Sequence, residues 1–147
     1  MTATTVAAPA GIDPRGPRFA ATLTTIVLAL TVLTGNLGLL AAQTAVFAVG
    51  ALAGAQATPY GVAFRRLLRP RLAPPAELED PRPPRFAQGV GLLVTGTGLL
   101  LAVAGVGGAV LVSAAVALVA AFLNAAFGLC LGCEFYLVIA RLRSSGR

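Results

Sequence analysis

The chain carries two cysteines, Cys130 and Cys133, inside the stretch CLGCEFY, and the next residue is acidic, Glu134. A C-x-x-C pair can work as a dithiol/disulfide couple: a thiolate on one sulfur attacks, and the second sulfur resolves the mixed bond. A carboxylate beside the pair can relay a proton, although its own charge opposes the thiolate. The other readings are two structural cysteines packed as small apolar residues, and a metal site. Metal is disfavoured because two thiolates need further ligands and only Glu134 is at hand. The chain has no His, which excludes the usual zinc-enzyme ligand sets and Ser-His-Asp hydrolysis. The candidate catalytic set is therefore Cys130, Cys133 and Glu134, with no metal and no cofactor that the residues identify.

The elements that must position these residues are written in the composition. Of 147 residues, 57% are hydrophobic and 11% charged, against about 25% charged in a soluble domain, so the chain reads as an integral membrane protein. All basic residues are Arg, and they stand in short clusters flanking long uncharged runs. Such clusters mark membrane ends better than a nucleic-acid face, so no nucleic-acid partner is expected.

Residues 1–18 form an amino-terminal tail. Residues 19–64 hold no Asp, Glu, Lys or Arg, which leaves room for two spans of about 20 residues. TGNLG (34–38) is the turn between them, and the second helix is expected to run to about Phe64 with a kink at Pro59. The first run follows Arg15 and Arg18 as a signal peptide would, but it is longer than an h-region of roughly 7 to 15 residues and is read as a retained helix. Residues 65–85 are an Arg/Pro-rich loop at headgroup level. Residues 86–140 supply two more helices around the turn GVGG (105–108), with the fourth starting near Ala109, and 141–147 are a basic tail. Running the fourth helix to Ala140 would make it about 48 Å long against a hydrocarbon core of about 30 Å. A tilt, an extension or a break near Gly128 or Gly132 must follow.

The expected fold is all-α, a four-helix transmembrane bundle. DPRGPRFA (13–20) and DPRPPRFA (80–87) agree at seven of eight positions, and each opens a hydrophobic pair. That predicts two parallel two-helix repeats related by an axis along the membrane normal. The motif suits a helix start anchored at headgroups better than a lipid-phosphate or partner clamp. With four spans every Arg falls on one side, so both termini are expected in the cytoplasm of a multi-pass protein of the cell inner (plasma) membrane.

On a continuous fourth helix, Cys130 and Cys133 share a face and lie about 12 to 16 Å inside the cytoplasmic end. Glu134 at that depth is costly and is expected to face the bundle interior. If the helix instead breaks at Gly128, Cys130 approaches a helix amino terminus, where the dipole lowers a thiol pKa. Asn36, Gln43, Gln56, Gln88 and Asn124 are read as interhelical hydrogen-bonding groups, and Gly50 with Gly54 and Ala53 with Ala57 as points of close helix approach. Tyr60 and Tyr136 each precede an Arg by five residues and read as interfacial anchors. Aligning the two tyrosines puts Gly54 and Ala57 opposite Cys130 and Cys133, so the dithiol is expected in the second half alone.

DPRPPRFAQGVG after the Pro-rich loop and LNAAFGLCLGCEFYLVIARL near the end resemble an uncharacterised bacterial integral membrane family, domain of unknown function 4395, from about Asp13 to Leu142. The resemblance implies a multi-pass protein and a thioredoxin-like or sulfurtransferase partner, without an established activity. The resulting expectation is a membrane dithiol that exchanges reducing equivalents or sulfur with such a cytosolic partner. Cys133, beside Glu134, is the proton-coupled thiol and Cys130 its partner in this reading, with the reverse order open. The cytosol is reducing, so the resting form is expected to be the dithiol. The alternatives are a small transporter or channel subunit for a sulfur compound or proton, and a scaffold without chemistry. Membrane lipids are the other expected partners, and Gly-rich helix faces leave room for a homo-oligomer.

Overall fold

The computed structural model describes residues 11–146. Of the tail expected over 1–18, residues 1–10 lie outside the described residues, as does Arg147 of the basic tail. The described chain is helical: α1 Arg15–Thr34, α2 Leu37–Ala53, α3 Pro59–Ala63, α4 Arg82–Val103, α5 Ala109–Phe127 and α6 Leu131–Ser145. α1, α4 and α5 are long and apolar enough to cross a membrane, and α2 is a shorter apolar helix. This is the architecture of a membrane protein.

The turns fall where their residue types require. Gly35 ends α1 with φ +64°, its N–H donating to the carbonyl of Thr31, and Asn36 then caps α2 by accepting the N–H of Leu39 at 3.1 Å. Asn36 is thus a helix cap rather than an interhelical group. Gly105 and Gly108, at φ +89° and +80°, turn the chain between α4 and α5, and α5 begins at Ala109 as the sequence predicts. The second helix differs from expectation. It stops at Ala53, where Gly54 takes φ +100°, and a 3-10 turn, Ala55–Ala57, leads to Thr58. Thr58 caps α3 by accepting the N–H of Gly61 at 3.0 Å, and Pro59 occupies the first helical position. Pro59 therefore starts a helix, a place where its missing N–H costs nothing, instead of kinking one. A wider π turn, Phe64–Leu68, and a 3-10 turn, Arg69–Arg71, continue from α3.

α1 packs chiefly against α5, and α2 against α4, while α4 also touches α5 and α6. Leu28 of α1, Leu40 of α2 and Ala114 and Ala117 of α5 form a buried cluster joined by Val94 and Leu99 of α4. Apolar side chains also cover the outside: Leu33, Leu52, Leu93, Leu100 and Val103 are each at least 70% exposed, as lipid-facing positions should be. Small residues set the closest approaches. A Cβ on Gly50 would sit 2.5 Å from Oε1 of Gln88, and one on Gly91 would sit 2.7 Å from the Phe47 ring.

The two DPR motifs fold alike. Asp13 accepts the backbone N–H of Arg15 and pairs with its guanidinium (2.8 Å), and Asp80 does both for Arg82 (2.7 Å). Ile12 and Glu79, which immediately precede the two motifs, form an antiparallel bridge with both hydrogen bonds at 2.9 Å. In each motif the second Arg lies at the end of a partner helix. Arg85 donates to the carbonyls of Ala51 and Leu52 at the end of α2. Arg18 lies over Gly128 at the end of α5, its Nε and Cζ at 3.9 Å from where a Cβ would stand. A guanidinium at a helix carboxyl end complements the dipole and satisfies orphan carbonyls.

The side-chain hydrogen bonds from the guanidinium of Arg15 hold the Asp13 carboxyl below its ordinary value of 3.8, and those from Arg82 do the same for Asp80. Both depressed carboxylates contribute stability that is present above their unfolded pKa and lost as pH falls through the folded one. Melting temperature in detergent should therefore drop as pH is lowered below about 4, and Asp13→Asn plus Asp80→Asn should flatten that drop. An unchanged acid limb in the double variant would show that the two pairs do not contribute to it.

Candidate dithiol site

The end of α5 decides where the cysteines go. Gly128, with φ +68°, closes the helix: its N–H donates to the carbonyl of Asn124 and the Leu129 N–H to that of Leu123. This is a left-handed αL stop, which a residue with a Cβ adopts only at a cost. Two residues later Cys130, in extended backbone, caps α6. The Cys133 N–H donates to Sγ of Cys130 at 3.3 Å, and Cys130 and Cys133 are joined as a disulfide with Cα atoms 5.2 Å apart. Of the readings the sequence leaves open, the structure has the break near Gly128, so the pair stands at the start of a separate helix.

Contact with α4 sets the level of the pair in the fold. A Cβ on Gly132 would lie 2.6 Å from Cβ and 2.7 Å from Cα of Ala87, so the backbones of α6 and α4 meet there. Phe86 packs against Phe135 and Tyr136 with ring centroids 6.3 and 5.6 Å apart. The pair is therefore level with the first turns of α4 and of α1, close to Phe86 and Arg18. Both cysteines are half-buried. Glu134 does not face a bundle interior. It is exposed, lies in the first turn of α6 with its N–H on the Cys130 carbonyl, and takes part in no ion pair among the described residues. A carboxylate there suits the positive end of a helix dipole.

The two sulfurs have different surroundings. That of Cys130 sits at the amino end of a 15-residue helix and receives a backbone N–H, and the Arg18 guanidinium covers Gly128 two residues earlier. Each of these stabilises negative charge on sulfur, whereas Cys133, one turn into α6, has the Glu134 carboxylate as its immediate neighbour.

The same cap geometry corrects the alignment of the two halves. Thr58 and Gly61 at the start of α3 occupy the places of Cys130 and Cys133 at the start of α6, each cap accepting the N–H three residues on. Phe64, on which Phe19 packs (5.9 Å), then corresponds to Tyr136, on which Phe86 packs. The tyrosine alignment, with Gly54 and Ala57 opposite the cysteines, is off by one helical turn because Tyr60 is not an interfacial anchor. Its hydroxyl points inward and donates to Oε1 of Gln43 at 2.8 Å, while Nε2 of Gln43 donates to Thr24 at 3.4 Å.

Gln43 is fully buried and is the interhelical group the sequence expects, joining α1, α2 and α3. Gln88 packs on Gly50 with its buried Oε1 lacking a hydrogen-bond partner among the described residues, and Gln56 lies in the 3-10 turn. The Asn124 side chain makes no hydrogen bond among the described residues; only its carbonyl is used, at the stop of α5. Gln43→Leu should lower stability by about 1 to 3 kcal/mol, because it strands the Tyr60 hydroxyl and removes a partner of Thr24. Thermal melts in detergent of Gln43→Leu against Tyr60→Phe would check this, with the glutamine variant expected to lose more.

No residue outside Cys130, Cys133 and Glu134 was singled out by the sequence as reactive, and the one it missed is Arg18. Its signal was the repeat itself: the second Arg of the other motif donates to a helix end, and Arg18 lies over the glycine that ends the helix leading into the cysteines. No curated protein and no solved structure matches the chain. A family model described as "Domain of unknown function (DUF4395)" matches residues 12–141. The match covers both DPR motifs, α1 to α5, the dithiol turn and most of α6, and the chain belongs to that family.

Proposed function

We propose that the protein is a membrane-anchored thiol–disulfide exchanger, with Cys130 the attacking thiol and Cys133 the resolving one. The observation that carries this reading is the placing of the pair: a closed C-x-x-C at the cap of α6, half-buried, at the arginine-bearing end of the helices. A partner in solution can reach a disulfide there, which it could not do in the middle of a span.

In the exchange, a thiolate of a thioredoxin-like dithiol attacks Sγ of Cys130 and the Cys130–Cys133 bond breaks, leaving Cys133 as thiolate. The partner's second thiolate then attacks the mixed bond and releases Cys130. The partner ends as a disulfide and this protein as a dithiol, with two electrons and two protons passed. The reverse sequence oxidises the membrane dithiol with a partner disulfide, so no further oxidant is needed. Arg18 and the α6 amino end hold the Cys130 thiolate in both directions. Glu134, exposed beside Cys133, is placed to return a proton to the leaving thiolate. Its exposure offers no support for a transmembrane path through that residue, the alternative in which it lines a channel.

The architecture that fits this role is two parallel two-helix repeats with a pseudo-twofold axis along the membrane normal. Its support is the Ile12–Glu79 bridge, which pairs equivalent positions of the two motifs, together with the crossed packing of α1 on α5 and α2 on α4. In this reading both termini are cytoplasmic in an inner-membrane protein; its support is that the charge-free turns at 35–36 and 104–108 lie opposite the Arg-bearing ends.

Incubation with a reduced dithiol protein of the thioredoxin type tests the reading. Alkylation should reveal two new thiols on this protein for each partner disulfide formed. Absence of thiols after equilibration at a tenfold excess of partner would sink it. Arg18→Gln gives a finer check. The pH profile of Cys130 alkylation in the reduced protein should move to higher pH, while that of Cys133 stays. Equal movement of both thiols would remove Arg18 from the site.

A further inference from the structure

The first half of the chain has no thiols at its version of this site, and a cavity of about 210 Å³ opens beside it. Its walls are a stripe of small residues on α1, Gly16, Pro17 and Ala20, facing Phe64 from the π turn. Arg65 and Arg69 stand at the edge, both exposed. Asp13 also lines the cavity; its carboxylate is paired with Arg15 and is also attracted by Arg69, whose N–H donors make no hydrogen bond to it. Arg65 spends one of its five N–H donors on the Gln56 carbonyl, at 3.1 Å. The pair of cations belongs to this half alone: under the cap correspondence, Arg65 is replaced by Leu137 in the second half, and only Arg69 keeps a counterpart, Arg141.

The geometry points to a binding site for an anionic phospholipid, its phosphate held by the Arg65 and Arg69 guanidinium groups and a short length of its apolar part seated between α1 and Phe64. Two features choose this chemistry. Two guanidinium groups with free donors recognise a phosphate through paired charge-assisted hydrogen bonds. The cavity is below the roughly 300 Å³ at which pockets begin to enclose a whole small ligand, so its occupant is a molecule held mostly elsewhere. A lipid, whose chains remain in the bilayer alongside α1, meets that condition, and a small soluble anion does not need the apolar wall. Arg65 and Arg69 lie at the same end of the helices as Arg18 and Arg85, where headgroups are found. The inference stands on the cavity and its cations and does not depend on the exchange reaction at Cys130.

Native mass spectrometry of the full chain in mild detergent, with dimyristoylphosphatidylglycerol or dimyristoylphosphatidylcholine added, tests the site. The wild type should retain one phosphatidylglycerol in clear preference to phosphatidylcholine. Arg65→Gln with Arg69→Gln, both at exposed positions that the fold does not bury, should lower that retention about tenfold. Arg141→Gln with Arg143→Gln should leave it unchanged. Equal retention of the two lipids, equal loss in both double variants, or displacement of the lipid by millimolar inorganic phosphate would each overturn the assignment.

Discussion

Cys133→Ser is expected to attack the disulfide form of a thioredoxin-type partner and hold it in a mixed disulfide in isolated membranes, the partner's second sulfur leaving as thiolate, and Cys130→Ser to hold little or none. The asymmetry follows from the start of α6. Cys130 caps the helix, accepts the Cys133 N–H and lies two residues from the glycine covered by Arg18. A thiolate at that position is stabilised at neutral pH, so the variant that keeps Cys130 alone attacks and, lacking its resolving thiol, stays attached. Cys133 alone has Glu134 beside it and the helix dipole one turn behind, so less of it is thiolate. Non-reducing gels after acid quenching report the outcome directly. Trapping by Cys130→Ser at the same yield would mean that helix position does not decide the order, and trapping by neither would remove exchange altogether.

Gly132→Val should free α6 from α4 while leaving the rest of the helices packed. The Cβ of any residue at 132 meets Cβ and Cα of Ala87 at 2.6 and 2.7 Å, and backbone cannot give way as a flexible side chain can. Relief requires α6 to lift, which also separates Phe86 from Phe135 and Tyr136. Overpacking of this kind costs about 2 kcal/mol, so trypsin should cut at Arg141 and Arg143 roughly thirtyfold faster. The cluster of Leu28, Leu40, Ala114 and Ala117 contains no residue of α6, so the melting of the remaining helices should barely move. Unchanged cleavage would show that α6 is not held by this contact, and collapse of the whole fold would show that α6 is part of the core.

Much of this was legible in the sequence. The uncharged runs, the Gly/Asn turns and the two DPR motifs mark α1, α4 and α5 and the starts of both halves, because length, charge and glycine act locally. The excess length of the fourth helix also announced a break near Gly128. The level of the dithiol was not legible, since it depends on Gly132 meeting Ala87 across forty-odd residues of chain. Nor was the inward turn of Tyr60: an aromatic five residues before an arginine looks like an anchor until its hydroxyl finds Gln43. The exposure of Glu134 follows from the break. On a continuous helix a carboxylate there would be deep in the span; at the first turn of α6 it sits on a helix end that favours it. Whether one Arg or another closes a helix end is likewise a property of the crossed packing, which no local pattern encodes.

The central claim is that Cys130 and Cys133 form an exchanging pair open to the arginine-bearing side of the membrane. The most direct measurement is labelling of the two cysteines in sealed inside-out membrane vesicles by a membrane-impermeant maleimide, before and after a reducing dithiol protein is added outside. In vesicles first oxidised with diamide, reduction should raise labelling of both cysteines from near zero to near completion without detergent. Labelling that appears only after detergent, or that ignores the added dithiol, would contradict the account.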